Sequence, residues 1–185
     1  MDEIKRLHEL YLLKEVDRVT NVKERYESTA EHIYSTLILA FYFISKIEQK
    51  LDQVKVTKLL LYHDLEEIYT GDFDSMKGDK EEIHRKDEER AFCLLQEKIP
   101  LQMKAEYGEL WKEFREGQTM ESRFCHAIYK LDPVIHTIFK KHNWTKEEIT
   151  EQKIRAKKEK YFKDFPAIQE FFNQLIEYAK MNGYF

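Results

Sequence analysis

Polar residues stand where an apolar helix ought to continue. The run Lys58-Leu59-Leu60-Leu61-Tyr62 ends in His63-Asp64, and Glu66 and Glu67 follow within one helical turn. Burying a His-Asp pair at the end of an apolar helix is costly unless something satisfies it. A divalent metal would, because a neutral imidazole and a carboxylate are both good ligands for such ions. A hydrogen bond between the two, or to water at a helix end, is the plainer alternative. Glu67 lies four residues past His63 and three past Asp64, so one continuous helix would put it on their side. A carboxylate there could orient or deprotonate a water molecule. Two further residues draw notice. His32 falls in the first turn of another helix and by itself reads as a capping or surface residue. Asp132 sits among Tyr129, Leu131, Val134 and Ile135 and immediately precedes Pro133. Proline restrains its predecessor and kinks helices, so Asp132 is expected to be partly buried at a bend.

The elements that must position these residues are helical. Only 5 Gly and 3 Pro interrupt strings of Leu, Glu, Lys, Gln and Ala, which favour helix throughout. Ile4, Leu7, Leu10, Tyr11 and Leu13 give a first amphipathic helix over 3–14. Residues 15–26 lose that periodicity and read as a charged loop, the kind of segment that carries ligand groups. Ser28-Thr29-Ala30-Glu31 matches a capping box and opens a helix to about Ile47. Asp52 or Gln53 starts the helix that carries the doublet, and Gly71-Asp72 ends it. Phe73–Asp79 reads as a polar loop able to serve as a lid. Helices follow over 80–98, 101–115 and 121–139. A second capping-box match, Thr145–Glu148, predicts a helix to about Phe162, and the last helix spans Pro166–Met181. Nothing reads as a strand pair. The expectation is an all-α, single-domain bundle over 1–185.

With 185 residues the chain can bury a core without staples. The formal net charge of −4 argues against nucleic acid as a partner, since phosphate contacts need a basic face. Cys93 and Cys125 form no metal or redox spacing, which predicts reduced thiols and a cytoplasmic setting. The apolar run around Leu37–Ile44 is far shorter than the about 20 residues of a membrane helix, and the first residues lack the apolar core of a signal peptide. Abundant aromatics, with Phe171 and Phe172 on the last helix, serve either the core or a partner surface.

The order His32, then His63-Asp64, then Asp132 resembles the signature of the HD-domain metal-dependent phosphohydrolases. Leu13–Arg18, Glu27–His32, His63–Glu67, Gly71-Asp72 and Lys130–Asp132, in that order, resemble the 5′-deoxynucleotidase branch, over roughly residues 10–140. The resemblance implies that His32, His63, Asp64 and Asp132 bind a divalent metal, with Co, Mn, Mg, Zn, Ni and Fe all open. It implies that Arg18 holds the substrate phosphate, that Glu67 is the catalytic carboxylate near the attacking water, and that Asp72 helps to position the substrate. It further implies a nucleoside 5′-monophosphate as substrate, and a homodimer. One stretch departs from the pattern: Asn21-Val22-Lys23-Glu24-Arg25 stands in a shortened loop, which makes Lys23 and Arg25 alternative phosphate ligands. Residues after about 145 match no motif and would complete the bundle. Other phosphate esters, including nucleoside triphosphates and cyclic nucleotides, suit the same site, as does metal binding without turnover.

Overall fold

In the computed structural model residues 2–73, 81–146 and 148–185 are described. Helices carry most of them, as the all-α reading expects. The described residues gather into two compact units. The first takes residues up to Tyr34 and those between Lys58 and Glu116; the second takes Ser35–Thr57 and Gly117–Phe185.

The first unit starts with α1 (Asp2–Tyr11) and a tight 3-10 turn over Leu12–Glu15. None of the α1 residues is buried, so its apolar stripe of Ile4, Leu7 and Tyr11 is exposed, against the expectation of a packed face. The segment read as a loop is instead an antiparallel hairpin, β1 (Asp17–Val22) with β2 (Arg25–Ser28). Val22 pairs with Arg25 across a turn in which Lys23 takes a left-handed φ of 55°. The register shifts between Asp17 and Asn21, which marks an irregularity in β1. Strand alternation does the positioning: Asp17 and Val19 point outward, so Arg18 between them points inward.

Helix α2 (Thr29–Ile44) begins as its capping box predicts. Ser28 Oγ accepts a hydrogen bond from the Glu31 N–H at 3.3 Å, and Glu31 Oε2 accepts one from the Ser28 N–H at 2.9 Å. Helix α3 (Gln53–Tyr62) is capped by Asp52, whose Oδ1 accepts from the Val54 and Lys55 N–H groups. It stops at Tyr62, before the doublet. A turn over residues 63–66 leads into a short α4 (Glu67–Thr70), and Gly71 closes it at φ 70°. Glu67 therefore opens a new helix instead of continuing that of His63, a correction to the single-helix reading.

Most of the proposed lid lies outside the described residues. α5 (Glu81–Lys98) and α6 (Leu101–Glu116) pack in the first unit, with Leu95, Ile99 and Tyr107 fully buried.

In the second unit α7 (Met120–Thr137) is capped by Thr119 and continues through Pro133. The second capping-box match fails. Thr145 lies inside α8 (Lys141–Lys146), and Thr150 caps α9 (Glu151–Lys158) by accepting from the Lys153 N–H at 3.2 Å. A 3-10 turn over Glu159–Tyr161 leads to α10 (Pro166–Met181). Phe162, Phe165 and Phe172 are inaccessible to solvent, and Phe171 meets Phe43 edge-on at 5.4 Å. The late aromatics are thus largely core.

Candidate metal centre

The turn that ends α3 also builds the candidate centre. The His63 Nδ1 lies 2.8 Å from the Leu60 carbonyl oxygen, one of the acceptors left over at a helix end. A carbonyl has only lone pairs to offer, so Nδ1 carries the proton and donates it. In the neutral ring Nε2 then presents a lone pair. That lone pair faces Asp64 Oδ2 at 2.8 Å, while His32 Nε2 lies 3.8 Å from the same oxygen. Electron-rich atoms at this spacing call for positive charge among them, either a proton on an imidazole or a metal ion. The two imidazole rings approach with centroids 5.6 Å apart.

All three residues are buried, and one ligand atom from each lies within 4.8 Å of the others. Two imidazoles and a carboxylate, with no thiolate, suit a borderline or hard divalent ion, and the bond from His63 Nδ1 to a carbonyl is the outer contact typical of metal-bound histidine. The donor set therefore fits a metal. Burial pushes the Asp64 carboxyl up, but when a proton rather than a metal sits between them, the His63 contact, with His32 and Arg18 adding to it, outweighs burial and holds the group below the usual carboxylate range. Asp132 is buried in α7, which belongs to the second unit.

Around this trio the first unit gathers more buried charge. Arg18 Nη1 contacts Asp72 Oδ1 at 3.0 Å, and its Nε lies 3.6 Å from Glu27 Oε2. Asp72 Oδ2 accepts from the Val19 N–H at 3.3 Å, and Glu27 Oε2 accepts from the Thr20 hydroxyl at 2.5 Å. Burial raises the Asp72 carboxyl above its ordinary range despite the Arg18 guanidinium. The alternatives to Arg18 point elsewhere: Lys23 is exposed at the hairpin turn, and the exposed Arg25 pairs with Glu31 at 2.5 Å.

Glu67 is buried, and its Oε2 accepts a hydrogen bond from the Thr29 hydroxyl at 2.8 Å. Burial, reinforced by the charges of Asp64 and Asp72, lifts its carboxyl well above the usual range, and Arg18 and Thr29 oppose the rise. Glu66 turns the other way, to α6. It accepts from Trp111 Nε1–H at 2.9 Å and, more weakly, from the Tyr107 hydroxyl at 3.4 Å. Burial pushes Glu66 up to about 8, with the charges of Asp64 and Glu88 adding to it.

The structure thus brings together, in the first unit, His32 with His63 and Asp64, and Arg18 with Asp72. Sequence reasoning missed the parts played by Glu27, Thr29 and Glu66. All three lie inside motifs that carry the family resemblance, Glu27 and Thr29 in Glu27–His32 and Glu66 in His63–Glu67, but the residue pattern gave none of them a role of its own.

The 5′-deoxynucleotidase HDDC2 of Xenopus laevis is 28% identical over 116 residues, which is 62% of this chain and 56% of that protein. The Homo sapiens protein of the same name is 27% identical over 113 residues, 60% of this chain and 53% of that one. The chain therefore spans about half the length of the curated relatives it matches. Among solved structures, one described as a predicted metal-dependent phosphohydrolase from Magnetospirillum magnetotacticum MS-1 superposes with a TM-score of 0.86. It covers 99% of this chain and 96% of its own at 24% identity. An HD-domain phosphohydrolase from Listeria innocua gives a TM-score of 0.71 over 94% of this chain and 88% of its own, at 19% identity. Both show the same fold. The HD-domain family profile matches residues 11–169, a span that contains His32, the His63-Asp64 doublet and Asp132. By that match, the chain belongs to the HD-domain family.

Proposed function

We propose that this protein is a metal-dependent phosphohydrolase that removes phosphate from nucleoside 5′-monophosphates, the deoxy forms in particular. The observation that carries the reading is the buried convergence of His32, His63 and Asp64, three donors with ligand atoms within 4.8 Å of one another. Asp132 is the fourth ligand in this reading, as the family pattern implies. The names of the curated relatives support the choice of substrate.

A divalent ion held by these side chains would make a water more acidic and polarise a phosphoryl oxygen. The remaining work falls to the chain's own groups. Arg18 has a guanidinium whose planar fork matches a phosphate, and Asp72 holds it from one side. Substrate phosphate exchanges part of that ion pair for its own oxygens. Asp72 then accepts a hydrogen bond from a sugar hydroxyl. Glu67 takes a proton from the attacking water as the new phosphorus–oxygen bond forms. The bond to the 5′-oxygen breaks, that oxygen takes a proton from solvent and leaves as the nucleoside hydroxyl, and Glu67 afterwards returns its proton to solvent, so protons balance over the cycle. The same reading expects a homodimer, which light scattering at micromolar concentration tests directly.

The deciding experiment is a panel of nucleoside mono-, di-, tri- and cyclic phosphates with added Co²⁺, Mn²⁺ or Mg²⁺, scored for inorganic phosphate, pyrophosphate and triphosphate. Phosphate released from monophosphates supports the proposal. Pyrophosphate or triphosphate release moves the substrate to a nucleoside triphosphate, and opening of a cyclic ester moves it to a cyclic nucleotide. No turnover at full metal occupancy leaves a metal-binding helical protein without catalysis.

A further inference from the structure

Thr29 has no solvent exposure, and its hydroxyl is 2.8 Å from Glu67 Oε2. The hydroxyl has no work to do in its own helix. Ser28, one residue earlier, already supplies the cap of α2 through Glu31. The Thr29 N–H is fixed as well, donating to the Val16 carbonyl at 2.9 Å where the hairpin meets the helix. A rigid backbone point thus aims one donor at one carboxylate oxygen. Among the described residues, this is the hydrogen bond that the Glu67 carboxylate accepts.

We propose that Thr29 is a positioning residue for Glu67: its hydroxyl holds Oε2, so that Oε1 is presented to the attacking water. The inference rests on the reading of Glu67 as the group that accepts the water's proton. Two physical consequences make the contact matter. A buried carboxylate with one anchored oxygen has a fixed plane, which near-attack geometry requires. A donated hydrogen bond also favours the ionised form of Glu67, the form that can accept a proton, against the burial that disfavours it.

The test replaces the hydroxyl and keeps the shape. With deoxyadenosine 5′-monophosphate and Co²⁺, Thr29→Val is expected to lower kcat about tenfold or more, the scale set by a hydrogen bond to a charged group. KM and the number of cobalt ions bound per chain, measured by equilibrium dialysis, stay at wild-type values. Thr29→Ser restores most of the loss, since it returns the donor. In a Glu67→Gln background Thr29→Val has little further effect, because the two act as one unit. Full activity in Thr29→Val overturns the inference, as does a loss that persists undiminished in the Glu67→Gln background or one shared equally by cobalt binding. If Thr29→Val does not fold, judged by circular dichroism, Thr29→Ala and Thr29→Ser carry the same comparison. An active wild type with inactive Glu67→Gln and active Thr29→Val defeats this inference alone. Wild-type protein that releases no phosphate, or active Glu67→Gln, defeats the reading of Glu67 and this inference with it.

Discussion

Replacing Arg18 by Met isolates the electrostatics of the site from its chemistry. The guanidinium stands between Asp72 and Glu27, and all three side chains are less than a tenth exposed. Methionine fills much of the same volume with no charge and no donor. Two buried carboxylates then face each other's surroundings without their cation. Removing one partner from a buried ion pair costs about 3–5 kcal/mol, since the remaining charge keeps its desolvation penalty. For a chain of this size that loss corresponds to a fall in Tm of roughly 6–20 °C. Urea unfolding at pH 7, followed by circular dichroism without metal, reads it directly.

The pH dependence supplies the sharper check. In the wild type burial already raises the Asp72 carboxyl, with Arg18 opposing. In Arg18→Met the opposition is gone, so the folded-state value climbs further while the unfolded value stays at about 3.9. The folded state then holds its proton more tightly than the unfolded chain. A raised carboxyl destabilises where the unfolded chain ionises and the folded one resists, which is above that unfolded value. The deficit of Arg18→Met therefore grows as the pH rises from about 4 toward neutrality and shrinks as the pH falls back. Neutralising the two carboxylates should also recover stability, in the triple variant Arg18→Met with Glu27→Gln and Asp72→Asn. A single variant as stable as wild type at pH 7, or a triple variant no better than the single one, refutes the reasoning.

Three further outcomes follow from the same geometry. Glu67→Ala should keep its metal and lose roughly 10²- to 10⁴-fold in turnover, while Arg18→Ala should raise KM for monophosphates and lower kcat as well; Glu67→Ala without metal, or Arg18→Ala like wild type, reverses the assignment. His63→Ala and Asp64→Ala should each abolish stoichiometric metal binding in elemental analysis, because each removes one of the three converging donors. Trp111→Phe keeps an aromatic ring for the stack with Phe92, whose centroid is 4.0 Å away, and deletes the donor to the buried Glu66. The expected cost in thermal or urea unfolding is about 1–3 kcal/mol, and a neutral effect would show that Glu66 is satisfied without it.

What was legible in the sequence follows a physical division. Ser28 and Glu31 announced the start of α2 because capping is a local exchange of hydrogen bonds, complete within four residues. Thr145 and Glu148 show the same pattern and fail. Trp144 is buried, its Nε1–H bonded to the Thr137 carbonyl at 3.1 Å, and this tertiary contact anchors the short α8. Glu148 then adopts a φ of 48°, and Thr150 takes over as cap. The hairpin was invisible for a different reason. Its inward residues are Arg18 and Glu27, so charge pairing replaces the apolar alternation that marks a strand. The turn after Tyr62 depends on the His63 ring bonding to the Leu60 carbonyl, which no propensity encodes.

His63, Asp64 and Asp132 stood out because a histidine or aspartate in an apolar run violates the helical pattern, whereas His32, at a helix start, was marked by the family pattern alone. Thr29 and Glu27 violate nothing. Threonine beside a cap and glutamate before one are what a helix start favours on its own account. Side chains that serve a site from positions where local structure already welcomes them leave no mark in the helical pattern, even inside a stretch, Glu27–His32, that the family resemblance picks out. Only the partner across space, Glu67 for one and Arg18 for the other, gives them away.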